Sequence, residues 1–445
     1  MKITFLGAGS TVFSKNVLGD VMLTPALNHC EIALYDIDPV RLAESRLVID
    51  RLNSGLNENR CKVSSYLGVG QRKEALRGAD FVVNAVQVGG YEPATVIDFE
   101  IPKKYGLRQT IGDTLGIGGI FRALRTIPVV DAFARDMEEV CPRALLLNYS
   151  NPMAMLTGYL LQHTGVQAVG LCHSVQSCVP ELLKKLAMPI KPEETVFTIA
   201  GINHMAWLLG ITDLAGNDLY PEIRRLAKEK NAREKHEDMV RFDYIDKLGY
   251  YCTESSEHNA EYNAFYLKAG REDLVEKFNI PLDEYPRRCR EQIAGWAAQR
   301  EALLQGGDIA HSRSSEYASY IMEAVVSDRP YTLGGNVLNR GLISNLPAEA
   351  CVEVPCVADR RGISPPRVGA LPLQLAAMNA TNIYPQLLTI EAARSGKMDL
   401  IYQAAMLEPH TGAQLSTDEI VSLCDELYEA HSAAGFPMQC GAAGL

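Results

Sequence analysis

The sequence predicts an α/β protein built on a doubly wound parallel sheet, followed by a mixed, mainly helical α+β part. Two observations carry that prediction. Over the first 170 residues, short apolar runs bounded by turn residues alternate with helical patterns, as buried parallel strands joined by crossover helices do. After about residue 190 the alternation gives way to longer helical patterns.

The apolar runs fall at residues 2–6, 31–35, 80–86, 144–148 and 168–171. Between them, Asp38-Pro39 supplies a cap residue and then proline at the first helical position, opening a helix to about residue 56. Residues 71–77 form a short amphipathic piece and residues 119–140 a long one. The connection from 87 to 119 stands apart, with six glycines (Gly89, Gly90, Gly106, Gly112, Gly116, Gly118) before Gly119 starts the next helix, among order-promoting Ile, Leu and Tyr. A long loop of that kind inside a domain is read as functional. Further along, strands are expected at 196–200 and 205–211, and helices at 221–229, 237–248, 287–304, 315–326, 373–396 and 417–433. With no repeat and no low-complexity linker, the expected division is 1–190 and 191–445, the second part capping the sheet and completing a site.

Composition narrows the function. Of the 445 residues 47% are hydrophobic, which excludes wholesale disorder, and the net charge of −11 argues against a nucleic-acid or anionic-membrane partner. No apolar stretch approaches the roughly 20 residues that span a bilayer. The first residues lack the pattern of a signal peptide, and the eleven cysteines, Cys30 to Cys440, include no Cys-x-x-Cys pair. A reducing, cytoplasmic setting is expected, with the sequons at Asn148 and Asn379 arising by chance.

Four motifs carry chemistry. Gly7-Ala8-Gly9-Ser10, followed by Thr11, comes directly after the first strand, where a glycine turn lets backbone N–H groups approach a pyrophosphate at a helix N-terminus. Asp36 ends the second strand, where a carboxylate holds ribose hydroxyls and favours NAD. The third fingerprint position is Val12, so a plain structural turn competes, but the context favours a Rossmann-like dinucleotide site. Cys172, after the fifth strand, and His204 could ligate a borderline divalent metal, although thirty-two residues of separation alone is weak support against two ordinary buried residues. Asn151, before Pro152, reads both as a hydrogen-bonding amide and as a helix start. Residues 253–262 (TESSEHNAEY) could supply an acid or base, or could be a solvated polar turn.

Together GAGS, VGGYE (88–92), DTLGIGGIFRALRTIP (113–128), NYSNPMAM (148–155), GLCHSVQ (170–176), GINHMAW (201–207) and TESSEHNAEY resemble glycoside hydrolase family four, from Met1 to about Ala433. Within it they look most like the bacterial α-galactosidase branch. The two-carboxylate chemistry common to most glycosidases does not apply to the NAD-dependent members of that family.

The resemblance implies a lactate/malate dehydrogenase-like arrangement and hydrolysis of terminal α-D-galactosides with NAD and Mn²⁺. Hydride leaves sugar C3 for NAD⁺, the metal binds the C2 and C3 oxygens, a base takes the C2 proton, and an acid assists loss of the C1 group. Water then adds and the hydride returns. By motif, Cys172 and His204 become metal ligands, and Gly7, Gly9, Ser10, Thr11, Asp36 and Gln87 line the NAD site. Asn151 and Asp113 become substrate contacts. The residue after the metal cysteine is an Asp acid in some relatives and is His173 here. A base is expected at His258, with Glu254, Tyr262 and Glu257 as rivals. The resemblance also implies a homodimer or homotetramer. An α-galacturonidase, using Arg122, Arg125 or Arg287 for the uronate, or an α-glucosidase are the alternatives within the family. A net NAD-dependent 2-hydroxy-acid dehydrogenase, or a non-catalytic NAD-binding regulator, is the alternative outside it.

Overall fold

The computed structural model describes residues 1–304 and 309–439, with backbone alone at 297, 299 and 302–304. Its strands are β1 (Lys2–Leu6), β2 (Glu31–Asp36), β3 (Lys62–Leu67), β4 (Phe81–Asn84), β5 (Leu145–Asn148), β6 (Gln167–Gly170), β7 (Thr195–Ile202), β8 (Met205–Asp213), β9 (Tyr251–Cys252), β10 (Tyr331–Leu338), β11 (Cys351–Asp359) and β12 (Gly362–Ser364). One sheet takes them in the order β3-β2-β1-β4-β5-β6-β10-β11-β7-β8-β9, with β12 paired to β11. The first six strands are parallel, in the 3-2-1-4-5-6 order of a doubly wound dinucleotide fold. From β10 onward the pairing is antiparallel.

Alternation of side chains loads both faces of the parallel half. Ile3, Phe5, Val83 and Leu147 pack with Val17 and Val21 of the helix Thr11–Leu23. Leu6, Val82 and Leu146 pack with Phe121 and Leu124 of the helix Gly116–Val140. Asp38 caps the helix Pro39–Asn57 as its spacing predicts, accepting from the N–H of Val40 (2.9 Å) and Arg41 (3.0 Å). The predicted helix at 417–433 is present with those bounds.

The sequence reading missed five strands, β3, β9, β10, β11 and β12, and several helices, among them His173–Lys185 and Met398–Leu407. β3 is an edge strand with no fully buried face, so its alternation is weak. β10 contains Gly334-Gly335, which reads as a turn. The glycines are there because a Cβ at Gly334 would lie 2.7 Å from Val175 and one at Gly335 would lie 2.9 Å from the Cys356 sulfur. β11 carries Pro355 and the fully buried Glu353, both of which mask a strand signal. The connection 87–119 is less irregular than its glycines imply, since it holds the helix Val96–Lys104. The cysteines within the described residues are all free, and Cys440 lies outside them. Asn148 and Asn379 are fully buried, as chance sequons would be. Among the described residues no helix is long and apolar enough to cross a membrane.

A buried carboxylate ties the added half together. Asp238, fully buried, accepts from Arg241 (Nη2, 2.9 Å), Lys185 (3.3 Å), the Tyr251 hydroxyl (2.5 Å) and the Ser256 hydroxyl (2.9 Å). Burial pushes its carboxyl up, but Arg241 and Lys185 outweigh that and hold it down at about 2. Asp238→Ala removes the nearest counter-charge of the buried Arg241, leaving only Glu181 at 3.9 Å, and should lower stability by about 3–5 kcal/mol, read as a fall in the denaturation midpoint. Because the folded carboxyl lies below its unfolded value of about 3.9, the stability gap between wild type and variant is complete at pH 5. It should shrink as pH falls from 4 toward 2, and a gap constant down to pH 2 would refute this account.

Candidate active site

The carboxyl ends of β1, β4, β5 and β6 open onto one cleft. At the end of β1, Gly7 has φ +82°, and a Cβ there would lie 2.9 Å from the Ala85 carbonyl. Gly9 passes so close to Asp36 that a Cβ would meet its Oδ2 at 2.8 Å. The Gly9 N–H donates to that oxygen at 2.6 Å, and the Asp38 N–H donates to Oδ1 at 2.9 Å. Ser10 precedes the helix Thr11–Leu23 with no side-chain cap bond, which leaves first-turn N–H groups for an anion. The Thr11 hydroxyl is turned away into a buried bond with Ser45 (2.8 Å), so only its backbone faces the turn. Gln87 donates to the Tyr285 hydroxyl at 3.4 Å. Ser10, Gln87, Asp113, Asn151, Cys172 and His173 all border this cleft, whose volume is about 290 Å³. A larger concavity of about 510 Å³ opens at the other ends of the strands, near Met1, Arg143 and Arg360, and contains none of the motif residues.

The metal-type donors come from three elements. β7 and β8 are joined by the two-residue turn Asn203-His204, with Ile202 opposite Met205. His204 takes φ +63°, and Glu254, after β9, takes φ +67°. Two non-glycine residues in the left-handed region within one site mark backbone strain held by the surroundings. The donor atoms of Cys172, His204 and Glu254 all lie within 4.8 Å of one another, and so do those of Asp113, His204 and His258. The His204 Nε2 is 3.4 Å from the Glu254 carboxylate, and its Nδ1 is 3.2 Å from the Tyr262 hydroxyl. Burial lowers the affinity of His204 for a proton, but Glu254 and Cys172 outweigh it and push the imidazole up to about 10. A thiol, an imidazole and a carboxylate whose donor atoms converge fit a borderline divalent cation.

The remaining candidates fall into place around this cluster. Asn151 presents a buried Oδ1 with no protein partner, as an acceptor for a ligand hydroxyl would. Asp113 lies 3.9 Å from Arg122, whose guanidinium stacks on Tyr285. His258 is buried, 2.6 Å from the Ser255 hydroxyl, 3.5 Å from Glu254 and 4.0 Å from Asp113, and burial pushes its imidazole below the ordinary value. Tyr262 is fully buried with its hydroxyl on His204, which suits orienting that imidazole. His173 lies at the mouth, 2.8 Å from Glu316, and that bond pushes its imidazole up.

The reading of residues 253–262 as a solvated turn is overturned, because none of the ten is exposed. Sequence reasoning also missed Glu316 and the place of Glu254 as a third donor. Motif spacing carries no signal for a partner 143 residues away.

A model of the family 4 glycosyl hydrolases matches residues 2–188, and one of that family's C-terminal domain matches residues 199–411. An α-galactosidase of Bacillus subtilis (strain 168) is 58% identical over 430 residues, covering 97% of this chain and 98% of that protein. An α-galactosidase of Rhizobium meliloti (strain 1021) is 33% identical over 440 residues, covering 97% and 88%. Among solved structures, a 6-phospho-α-glucosidase from gut microorganisms in complex with NAD and Mn²⁺ shares the fold, with a TM-score of 0.80 at 20% identity over 99% of each chain. Strand order, glycine turn and acidic strand end define a Rossmann-like dinucleotide fold carrying a thiol–imidazole–carboxylate cluster. The chain belongs to glycosyl hydrolase family 4.

Tyr262→Phe keeps every donor and frees only the Nδ1 of His204. It should weaken Mn²⁺ binding by about tenfold, and Cys172→Ser by more, as read by electron paramagnetic resonance of free Mn²⁺. Unchanged affinity in Tyr262→Phe would remove its orienting role.

Proposed function

We propose that this chain hydrolyses terminal α-D-galactosides with a resident NAD and a divalent cation such as Mn²⁺. The observation that carries the reading is the meeting, at one cleft of about 290 Å³, of a dinucleotide cradle with a cluster of metal-type donors. The 58% identity to a protein named as an α-galactosidase supports the choice of sugar. In this reading residues 1–190 hold the dinucleotide and the chain from 191 onward completes the sugar site. Free cysteines throughout the described residues, one of them a ligand, suit a reducing cytoplasm.

When bound, the nicotinamide supplies a hydride acceptor for sugar C3 and the cation supplies Lewis acidity at the C2 and C3 oxygens. Cys172, His204 and Glu254 hold the cation, and Tyr262 keeps the His204 ring turned toward it. Gly7, Gly9 and the first turn after Ser10 receive the pyrophosphate, with Asp36 on the ribose. Asn151 accepts from a sugar hydroxyl through its otherwise unpaired Oδ1. His258, backed by Ser255 and facing Asp113, takes the C2 proton. His173 gives a proton to the departing oxygen on C1.

One observation favours a second substrate. Of the three arginines considered for a uronate, Arg125 is locked in a bidentate pair with Asp98 (2.9 and 2.6 Å), and Arg287 pairs with Glu284 and Glu291 outside the cleft. Arg122 alone of the three borders the cleft, so an α-galacturonide remains the alternative substrate.

The test is p-nitrophenol release from the α-galactoside, α-glucoside and α-galacturonide, with NAD⁺, Mn²⁺ and thiol each present or omitted. Release that requires NAD⁺ and Mn²⁺ and is fastest on the galactoside is expected. Full activity after exhaustive chelation would remove the cation from the reaction. Stoichiometric NADH from a hydroxy acid, without glycoside cleavage, would replace the reading with a dehydrogenase.

A further inference from the structure

We propose that Glu316 is the positioning residue for His173, holding its ring as the proton donor to the leaving oxygen. The inference rests on the glycosidase reading above. The Glu316 Oε2 lies 2.8 Å from the His173 Nε2. The carboxylate side chain is 8% exposed and the imidazole 45%, so an enclosed acceptor grips a ring that reaches into the opening. The bond occupies Nε2 and leaves Nδ1 as the ring nitrogen for the reaction. Tyr149 and Tyr317 flank the ring, with centroids at 6.2 and 6.0 Å.

The segment that carries Glu316 is itself anchored to the dinucleotide helix. Asp20, fully buried in the helix Thr11–Leu23, accepts from the Ser314 N–H (2.9 Å) and the Ser314 hydroxyl (2.6 Å), and its Oδ1 is 2.9 Å from the His311 Nε2. Gly19 makes room for this contact, since a Cβ there would lie 2.6 Å from the His311 ring. The Glu316 N–H donates to the Ser314 hydroxyl (3.1 Å), and the Tyr317 hydroxyl donates to the Cys172 carbonyl (3.0 Å). The segment is therefore fixed at one end to the helix behind the Gly7–Gly9 turn and at the other to the residue beside His173. A pair that served stability alone would not require this chain of buried bonds ending on a half-open ring.

In the step assigned to the pair, the C1–O bond breaks and its electron pair stays on the aglycone oxygen. The His173 ring gives that oxygen a proton. The water that later adds at C1 returns a proton to the ring.

The experiment compares methyl and p-nitrophenyl α-galactosides on enzyme loaded with NAD⁺ and Mn²⁺. A p-nitrophenolate departs with little help from an acid, whereas a methoxide needs the proton. Glu316→Leu should therefore lower kcat on the methyl glycoside at least about tenfold more than on the aryl glycoside. Glu316→Gln, which keeps an acceptor without the charge, should give an intermediate ratio. In a His173→Gln background, Glu316→Leu should leave the ratio unchanged. Circular dichroism and the thermal midpoint check that each variant folds. If Glu316→Leu does not fold, the ratio for Glu316→Gln decides alone. Equal losses on the two substrates, whatever their size, overturn the positioning role. Wild-type enzyme that cleaves neither glycoside overturns the glycosidase reading and this inference with it.

Discussion

One row of residues across the sheet holds the two halves of the site in register. Gly170 at the end of β6 faces Asn336 of β10, Asn336 faces Glu353 of β11, and Glu353 faces Gly201 of β7. Gly170 stands two residues before Cys172, and Gly201 three residues before His204. Both ends of the row must be glycine. A Cβ at Gly170 would lie 2.5 Å from the Met153 sulfur, and one at Gly201 would lie 2.6 Å from the Met205 carbonyl oxygen. The Glu353 carboxylate is fully buried and is met by the side-chain amides of Asn336 (2.9 Å) and Asn203 (3.3 Å). Burying it is costly, and burial pushes its carboxyl up to about 7. An apolar residue would fill the space more cheaply, but it would not grip Asn203, the neighbour of His204. The parallel half thus delivers a thiol, the antiparallel half delivers an imidazole, and the row sets their relation.

Strain in the site follows from the same demand. A non-glycine residue in the left-handed region costs on the order of 1–3 kcal/mol and persists only where its neighbours over-determine it. Around His204 they do. The Asn379 amide donates to the Met205 carbonyl (2.8 Å), and Ala206 exchanges bonds with Thr253, from its N–H to the hydroxyl (3.1 Å) and from the Thr253 N–H to its carbonyl (2.8 Å). The Thr253 bonds carry the constraint one residue further, to Glu254. The helix Leu373–Ser395 braces both sides, since it supplies Asn379 and also Asn382, which holds the Tyr262 carbonyl (3.0 Å).

What was legible in the sequence was local. A glycine turn after an apolar run, an acid at the next strand end and a proline after a cap residue each act within a few residues, and Gly7, Asp36 and Asp38 stand where those rules put them. The motif match marked Cys172 and His204, which the structure brings together with Glu254. The illegible part was long-range. Glu316 acts across 143 residues, Glu353 acts on Asn203 across 150, and Glu261 reaches the 110–112 loop across as many as 151. β10 and β11 were hidden for a related reason, because the glycines and the buried glutamate that serve this joint are the residues that erase a strand's alternating signature.

The polar decade 253–262 shows why buried charge is tolerated here. Glu261 points its carboxylate into three backbone N–H groups, those of Thr110 (2.7 Å), Ile111 (3.2 Å) and Gly112 (2.7 Å). Asp113 follows at once in the chain. On the same short helix, Ser256–Glu261, sits His258, and Ser256 is bound to the buried Asp238. The glycine-rich loop and the polar decade are therefore one body, clamped by Glu261 from one side and Asp238 from the other. Hydrogen bonds to a charged acceptor contribute about 1.5–3 kcal/mol each, enough for three of them to offset much of the cost of burying a carboxylate. An apolar interface between the two segments could be as stable and yet slide. Directional bonds into a backbone nest cannot, and they hold Asp113 at 4.0 Å from the His258 imidazole. The acidity of this segment thus fixes the geometry of Asp113 and His258.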